Sequence, residues 1–204
     1  MRKLAGPLMS VLVALGALTA CGGADARPLS GMVRTPTPVI SIPDTFDETG
    51  KPVAMKASGP SNLLLVYFGY TSCPDVCPTT LADLNLALGE IGDDAQRVEE
   101  EWITIDPARD TQSKMADYLA SFLKVPARPV RIVDVAALAA VAAPLGATYH
   151  VSSAADGTVE VSHSAFLYAV DSAGRLLVQW PFGTKRDEIA RDLRSLLAQV
   201  SKEN

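Results

Sequence analysis

The sequence predicts an α/β domain with a central mixed β-sheet flanked by helices and an N-terminal β-hairpin. Three observations carry that expectation. From Leu63 to Pro144, short apolar runs alternate with stretches whose apolar residues recur at three- and four-residue spacing. The first run, Leu63-Leu64-Leu65-Val66-Tyr67-Phe68, is unbroken, the pattern of a strand buried on both faces. Toward the C-terminus the pattern switches to strict alternation about a turn, which adds an antiparallel edge.

The first residues read as a leader rather than as fold. Arg2 and Lys3 are followed by an apolar stretch, Leu4 to Leu18, broken by Gly6, Pro7, Ser10 and Gly16. It is short for a membrane span and fits the hydrophobic region of a signal peptide. Leu18-Thr19-Ala20-Cys21 resembles a bacterial lipobox. That resemblance implies cleavage before Cys21, a lipid on its sulfur, and a protein held at the extracytoplasmic face of the cell membrane. An ordinary signal peptide cleaved nearby, or an uncleaved anchor, are the other readings. Residues 1–20 are thus expected to be a signal peptide. Residues 21–38 are expected to be a lipidated cysteine and a flexible tether, rich in Gly, Pro, Ser and Thr, with an extended reach on the order of 50 Å. Residues 39–204 are expected to form the folded domain.

Within the domain, Val39 to Ile42 and Lys51 to Met55 flank a turn at Asp47-Glu48-Thr49-Gly50 and read as a hairpin. After the apolar strand, Pro78 to Leu88 carries Leu81, Leu84 and Leu88 at helical spacing. Val98 to Ile105 is a second strand. Asp110 or Thr111 caps a helix bearing Met115, Leu119 and Phe122 or Leu123. Val130 to Val133 is a short strand, and Val135 to Pro144 an Ala-rich helix stopped at Gly146. Asp156-Gly157 marks a turn. Ser164 to Val170 and Leu176 to Trp180 form a hairpin about Asp171 to Gly174. Lys185 to Val200 closes the chain as a helix.

Composition narrows the function. Hydrophobic residues make up 48% of 204, enough for one buried core, and the formal net charge is −5. A negative chain without a basic cluster repels phosphate backbones, which excludes nucleic acid as an expected partner. If Cys21 carries lipid, Cys73 and Cys77 are left to pair only with each other within the chain. A disulfide across so short a loop restricts the unfolded chain little, so it makes a poor staple. The pair is therefore expected to serve redox chemistry or metal binding.

The cysteines follow the first buried strand and stand at the start of a helix, an arrangement that points to the thioredoxin superfamily. Gly69 lets the chain leave the strand sharply, and Pro78 suits a first helical residue. Both sulfurs are then expected near the positive end of the helix, which favours thiolate over thiol. Their spacing is C-x3-C, one residue longer than C-x-x-C. Two thiolates and one imidazole suit Cu(I), while Cu(II) would add oxygen ligands. Zinc competes, but structural zinc usually takes four protein ligands.

The segment Tyr67-Phe68-Gly69-Tyr70-Thr71-Ser72-Cys73-Pro74-Asp75-Val76-Cys77-Pro78 is similar to the signature of the Sco/SenC family. Ile103 to Thr111 and His163-Ser164 with the strand after them follow in the family's order. The resemblance runs from about Val39 to the C-terminal helix. It implies that Cys73, Cys77 and His163 ligate copper, and that the carboxylates of Asp106 and Asp110 lie near the metal loop. It also implies delivery of copper to the dinuclear centre in subunit II of cytochrome c oxidase, with other copper chaperones and thioredoxin-like reductants as further partners. Ser162 and Ser72 depart from the family, where an acidic and a bulkier residue are common.

Several residues have plainer readings. Asp106 and Asp110 suit backbone capping at a strand end and a helix start. His150 reads as exposed, Trp102 and Trp180 as packing residues, and Glu99 to Glu101 as a solvated strand edge. Two other activities compete with copper delivery. A thiol-disulfide reductase, keeping the oxidase cysteines reduced, needs only Cys73 and Cys77. A peroxiredoxin-like peroxidase would want a threonine three residues before its cysteine, where this chain has Tyr70.

Overall fold

Strand β1 (Leu63–Gly69) is buried along its whole length, as an unbroken apolar run requires. The computed structural model describes residues 27–203. The expected leader and Cys21 lie outside them. From β1 the chain enters helix α1 (Val76–Ile91), which buries Leu81, Leu84 and Leu88. Strand β2 (Val98–Thr104) returns parallel to β1. Helix α2 (Gln112–Phe122) follows, capped by the Thr111 hydroxyl, which accepts from the Lys114 amide. Strand β3 (Arg128–Val130) pairs parallel with β2. Helix α3 (Val135–Ala142) then leads to Gly146, whose φ of 70° turns the chain out of the helical path.

Strands β4 (Tyr149–Ser153) and β5 (Val159–His163) make a separate two-stranded ribbon. Strands β6 (Phe166–Val170) and β7 (Leu176–Pro181) rejoin the main sheet antiparallel, and helix α4 (Arg186–Lys202) packs on α1. The central sheet has the order β3-β2-β1-β6-β7. This is the expected mixed sheet with helices over it, a thioredoxin-like α/β fold. Trp102 and Trp180, 2% and 1% exposed, lie in its core as expected.

Four features differ from the reading of the sequence. The N-terminal hairpin is reduced to its turn and one bridge, Phe46 to Pro52. Val39 and Ile40 pair instead with Arg175 and Gly174, so the segment before the turn belongs to the far sheet edge. Helix α1 begins at Val76 rather than Pro78. Pro78 is its third residue, where an amide N–H would have no helical partner in any case, so a proline fits.

The expected tether is packed onto the domain from Ser30 onward. Met32 and Gln179 exchange backbone hydrogen bonds of 2.8 and 3.0 Å, and Leu176 donates to the Pro38 carbonyl at 2.9 Å. The Ser30 amide donates to buried Asp192 at 2.8 Å, and the same carboxylate accepts from the Trp180 indole at 2.9 Å. A Cβ at Gly31 would fall 2.4 Å from Val178 and 2.7 Å from Trp180, so only glycine allows so close an approach. The strap covers the open edge of β7, an edge that would otherwise expose unpaired backbone groups.

Glu99 to Glu101 are not a solvated edge, because β2 lies between β1 and β3. Glu99 accepts from Ser58 and Asn62. Glu101 is buried against Arg128 at 2.6 Å, and Arg128 also holds Asp47 at 2.9 Å. Glu100, 7% exposed, has no hydrogen-bond partner for either carboxylate oxygen. It faces a small cavity lined by Leu65, Leu84, Trp102 and Leu119, and burial pushes its carboxyl up to about 8.

Candidate metal centre

The parallel strands deliver their chain ends to one end of the sheet, and the candidate site lies there. Cys73 sits in the turn between β1 and α1, Cys77 is the second residue of α1, and His163 ends β5. Gly69 closes β1, and a Cβ there would fall 2.5 Å from the Trp102 ring and 2.8 Å from Tyr67. Glycine thus lets the indole of Trp102 lie across the strand end, stacked on Tyr67 with ring centres 5.0 Å apart.

The cysteine turn is held from beneath by Asp110, which is fully buried. Its carboxylate accepts from the Thr71 amide at 3.0 Å, the Thr71 hydroxyl, and the Thr104 hydroxyl at 2.7 Å. Lys114 approaches from outside at 3.4 Å. Asp106 is also buried and holds Arg109 at 2.5 Å. The two carboxylates therefore organise backbone and side chains around the turn.

Cys73, Cys77 and His163 come together, their donor atoms all lying within 4.8 Å of one another. Among the described residues they are the group of metal-binding side chains that the fold assembles, and Asp106 and Asp110 stand outside it. Both cysteines are free thiols. Cys77 Sγ lies 3.9 Å from His163 Nε2, and the Cys77 amide donates to Cys73 Sγ at 3.3 Å. His163 Nδ1 lies 3.3 Å from the Ser164 carbonyl. A carbonyl only accepts, so Nδ1 carries the ring proton and Nε2 keeps its lone pair toward the sulfurs. Burial holds the imidazole below its ordinary value, so it is neutral at pH 7.

The helix start does not make both sulfurs thiolates. Cys77 is completely buried, and desolvation pushes its thiol well above the ordinary range despite a backbone hydrogen bond from Tyr70. Loss of that proton must then accompany binding of a metal.

The departures from the family pattern fall away from the donors. Ser162 is exposed and pairs with His150, while His163 pairs with Tyr149. Neighbouring residues on a strand face opposite ways, so Ser162 and exposed His150 share the face turned from the site. Ser72 is exposed too. Reasoning from sequence assigned no role to Tyr67 and Tyr70, although both stand in the quoted signature. Their rings meet the His163 ring edge-on, with centres 6.2 and 6.1 Å away.

The donor set suits a soft, low-coordinate cation: two sulfurs, one imidazole nitrogen, and no carboxylate in the cluster. Residues 43–198 match the family model SCO1/SenC. A SCO2-like protein of Rickettsia conorii is 28% identical over 197 residues, covering 92% of this chain and 94% of that protein. The copper-bound structure of ScoI from Bradyrhizobium japonicum is 31% identical, with a TM-score of 0.64, and covers 78% of this chain and 99% of that one. A SCO1/SenC family lipoprotein from Bacillus anthracis shares the fold at 16% identity, with a TM-score of 0.63 over 78% of this chain and 95% of that one.

Proposed function

The chain belongs to the SCO1/SenC family, and from that premise we propose that it is an extracytoplasmic copper metallochaperone. Copper is its cargo, bound by Cys73, Cys77 and His163 and delivered to the dinuclear copper site of cytochrome c oxidase subunit II. The convergence of three donor atoms within 4.8 Å carries this reading. The copper held by the Bradyrhizobium relative supports it. A lipid on Cys21 would hold the protein at the membrane, a reading supported by the lipoprotein among its structural neighbours. No helix among the described residues is long and apolar enough to cross a membrane.

Transfer proceeds by ligand exchange. Incoming thiolates of the acceptor replace Cys73 and Cys77 one at a time, and each released sulfur recovers a proton. Desolvation favours the protonated form of Cys77, which helps to release the cargo. Neutral His163 offers Nε2 without a proton to displace. The reading is tested by titrating the reduced protein with Cu(I) against a competing chelator. One copper bound tightly, and weakened strongly by Cys73→Ser, Cys77→Ser and His163→Ala, is the expected result. Loss of oxidase assembly in cells carrying these variants is the second arm.

A thiol-disulfide reductase is the other reading, favoured by two free cysteines at a helix start with the Cys77 amide on Cys73. Attack through a mixed disulfide needs no imidazole ligand. His163→Ala with undiminished oxidase assembly would select it over copper delivery.

A further inference from the structure

We infer that Tyr67 and Tyr70 are positioning residues of the donor set, each giving its phenol hydrogen to one of the two sulfurs. This rests on the copper reading above and names residues that act through the donors. The two tyrosines stand three residues apart, at the end of β1 and in the turn beyond it. Tyr67 Oη lies 3.9 Å from Cys77 Sγ, within reach of a large sulfur acceptor. Tyr70 is tied to Cys73 through the backbone, the Cys73 amide donating to the Tyr70 carbonyl at 3.2 Å, and its ring lies against His163. Both rings are buried, 4% and 8% exposed, and both meet His163 at an interplanar angle of 87°. Three donors are thus framed by two phenols.

Both phenols remain protonated at neutral pH. A phenol ionises only at about pH 10. Each is a permanent hydrogen donor beside an atom that becomes a thiolate when metal binds. A hydrogen bond to a metal-bound thiolate withdraws electron density from sulfur. That stabilises the electron-rich Cu(I) form over Cu(II) and raises the energy of thiolate-to-Cu(II) charge transfer. Tyr118, in contrast, belongs to the same aromatic cluster through Trp102, but its buried hydroxyl has no hydrogen-bond partner.

The test uses the full chain in detergent, loaded separately with Cu(I) and Cu(II). Tyr67→Phe and Tyr70→Phe are each expected to move the thiolate-to-Cu(II) absorption to longer wavelength. Each should also lower the preference for Cu(I) over Cu(II) by about 3- to 10-fold, the net size of one ordinary hydrogen bond. Tyr118→Phe should change neither. Thermal melts identify a variant that fails to fold, and Tyr70→Phe, altered in the turn, then decides alone. Unchanged band and preference in folded Tyr70→Phe and Tyr67→Phe would overturn the inference while copper binding stands. Failure of the parent chain to bind copper would overturn the copper reading, and this inference with it.

Discussion

The sulfur side and the imidazole side of the centre are built differently. Cys73 and Cys77 come from the turn and helix that follow the most buried strand of the domain, and both side chains are buried. Asp110 ties that turn to β2 through Thr71 and Thr104. His163 comes from a two-stranded ribbon outside the central sheet, and the residues of its strand β5 alternate between half-buried and exposed. The base of that ribbon is fastened by Ser164 and Thr148, whose backbones and hydroxyl bond each other at 2.8 and 2.9 Å. One half of the site is thus inseparable from the core, while the other is local. Changes to the first should appear as lost stability, and changes to the second chiefly as lost binding.

The largest expected effect tests the core half. Asp110→Ala strands the Thr71 and Thr104 donors and should cost about 3–5 kcal/mol, read by chemical denaturation. A loss below about 1 kcal/mol would break the contrast. Next comes Glu100, on the adjoining strand. Its folded value of about 8 lies above the unfolded one, so stability is full in acid and falls as pH rises toward 8. Glu100→Gln should flatten that fall between about pH 5 and 9, read by denaturation at each pH.

On the ribbon half, His163→Ala should cost about 1 kcal/mol of stability, well below the Asp110 variant. Copper binding should weaken by more than about 100-fold, beyond the loss of an outer partner. The pH dependence sharpens the same division. Cys77 must shed a proton that burial holds tightly, whereas His163 is already neutral at pH 7. Affinity for Cu(I) should therefore climb from pH 7 to 9 in the parent and in His163→Ala, and climb less in Cys77→Ser. The smallest effect belongs to Ser162→Glu, which restores the acidic residue common in the family on the face turned from the site. Its copper affinity should stay within about twofold of the parent, since exposed charges at that remove are screened.

These contrasts also mark what the sequence made legible. The order of elements follows from periodicity, and the residue types and motif single out Cys73, Cys77 and His163, which the fold brings together. The surroundings of the donors were not. Three charged residues in a row read as solvent-facing because charge seeks water. Yet Glu101 is paired through one oxygen with an arginine 27 positions away, and neither carboxylate oxygen of Glu100 has a hydrogen-bond partner. The ribbon strand Val159–His163 is short and only half-buried, so its alternation was too weak to mark a strand. Cys77 was expected to ionise because helix ends are visible in sequence, whereas complete burial, the stronger influence here, is a property of the packed fold. The strap from Ser30 to Ile40 pairs through backbone atoms, which no side-chain pattern reports.

That strap has a direction. It runs antiparallel to β7, so Ser30 meets the C-terminal end of that strand. β7 points the same way as β1, and the donors gather beyond the end of β1. The polypeptide therefore enters the domain at the end where the three candidate donors lie. With a lipid on Cys21, the segment left between anchor and clamp spans at most about 30 Å, well short of the reach its composition alone would allow. Such a molecule would be moored on a short line fastened at the end of the sheet where Cys73, Cys77 and His163 gather.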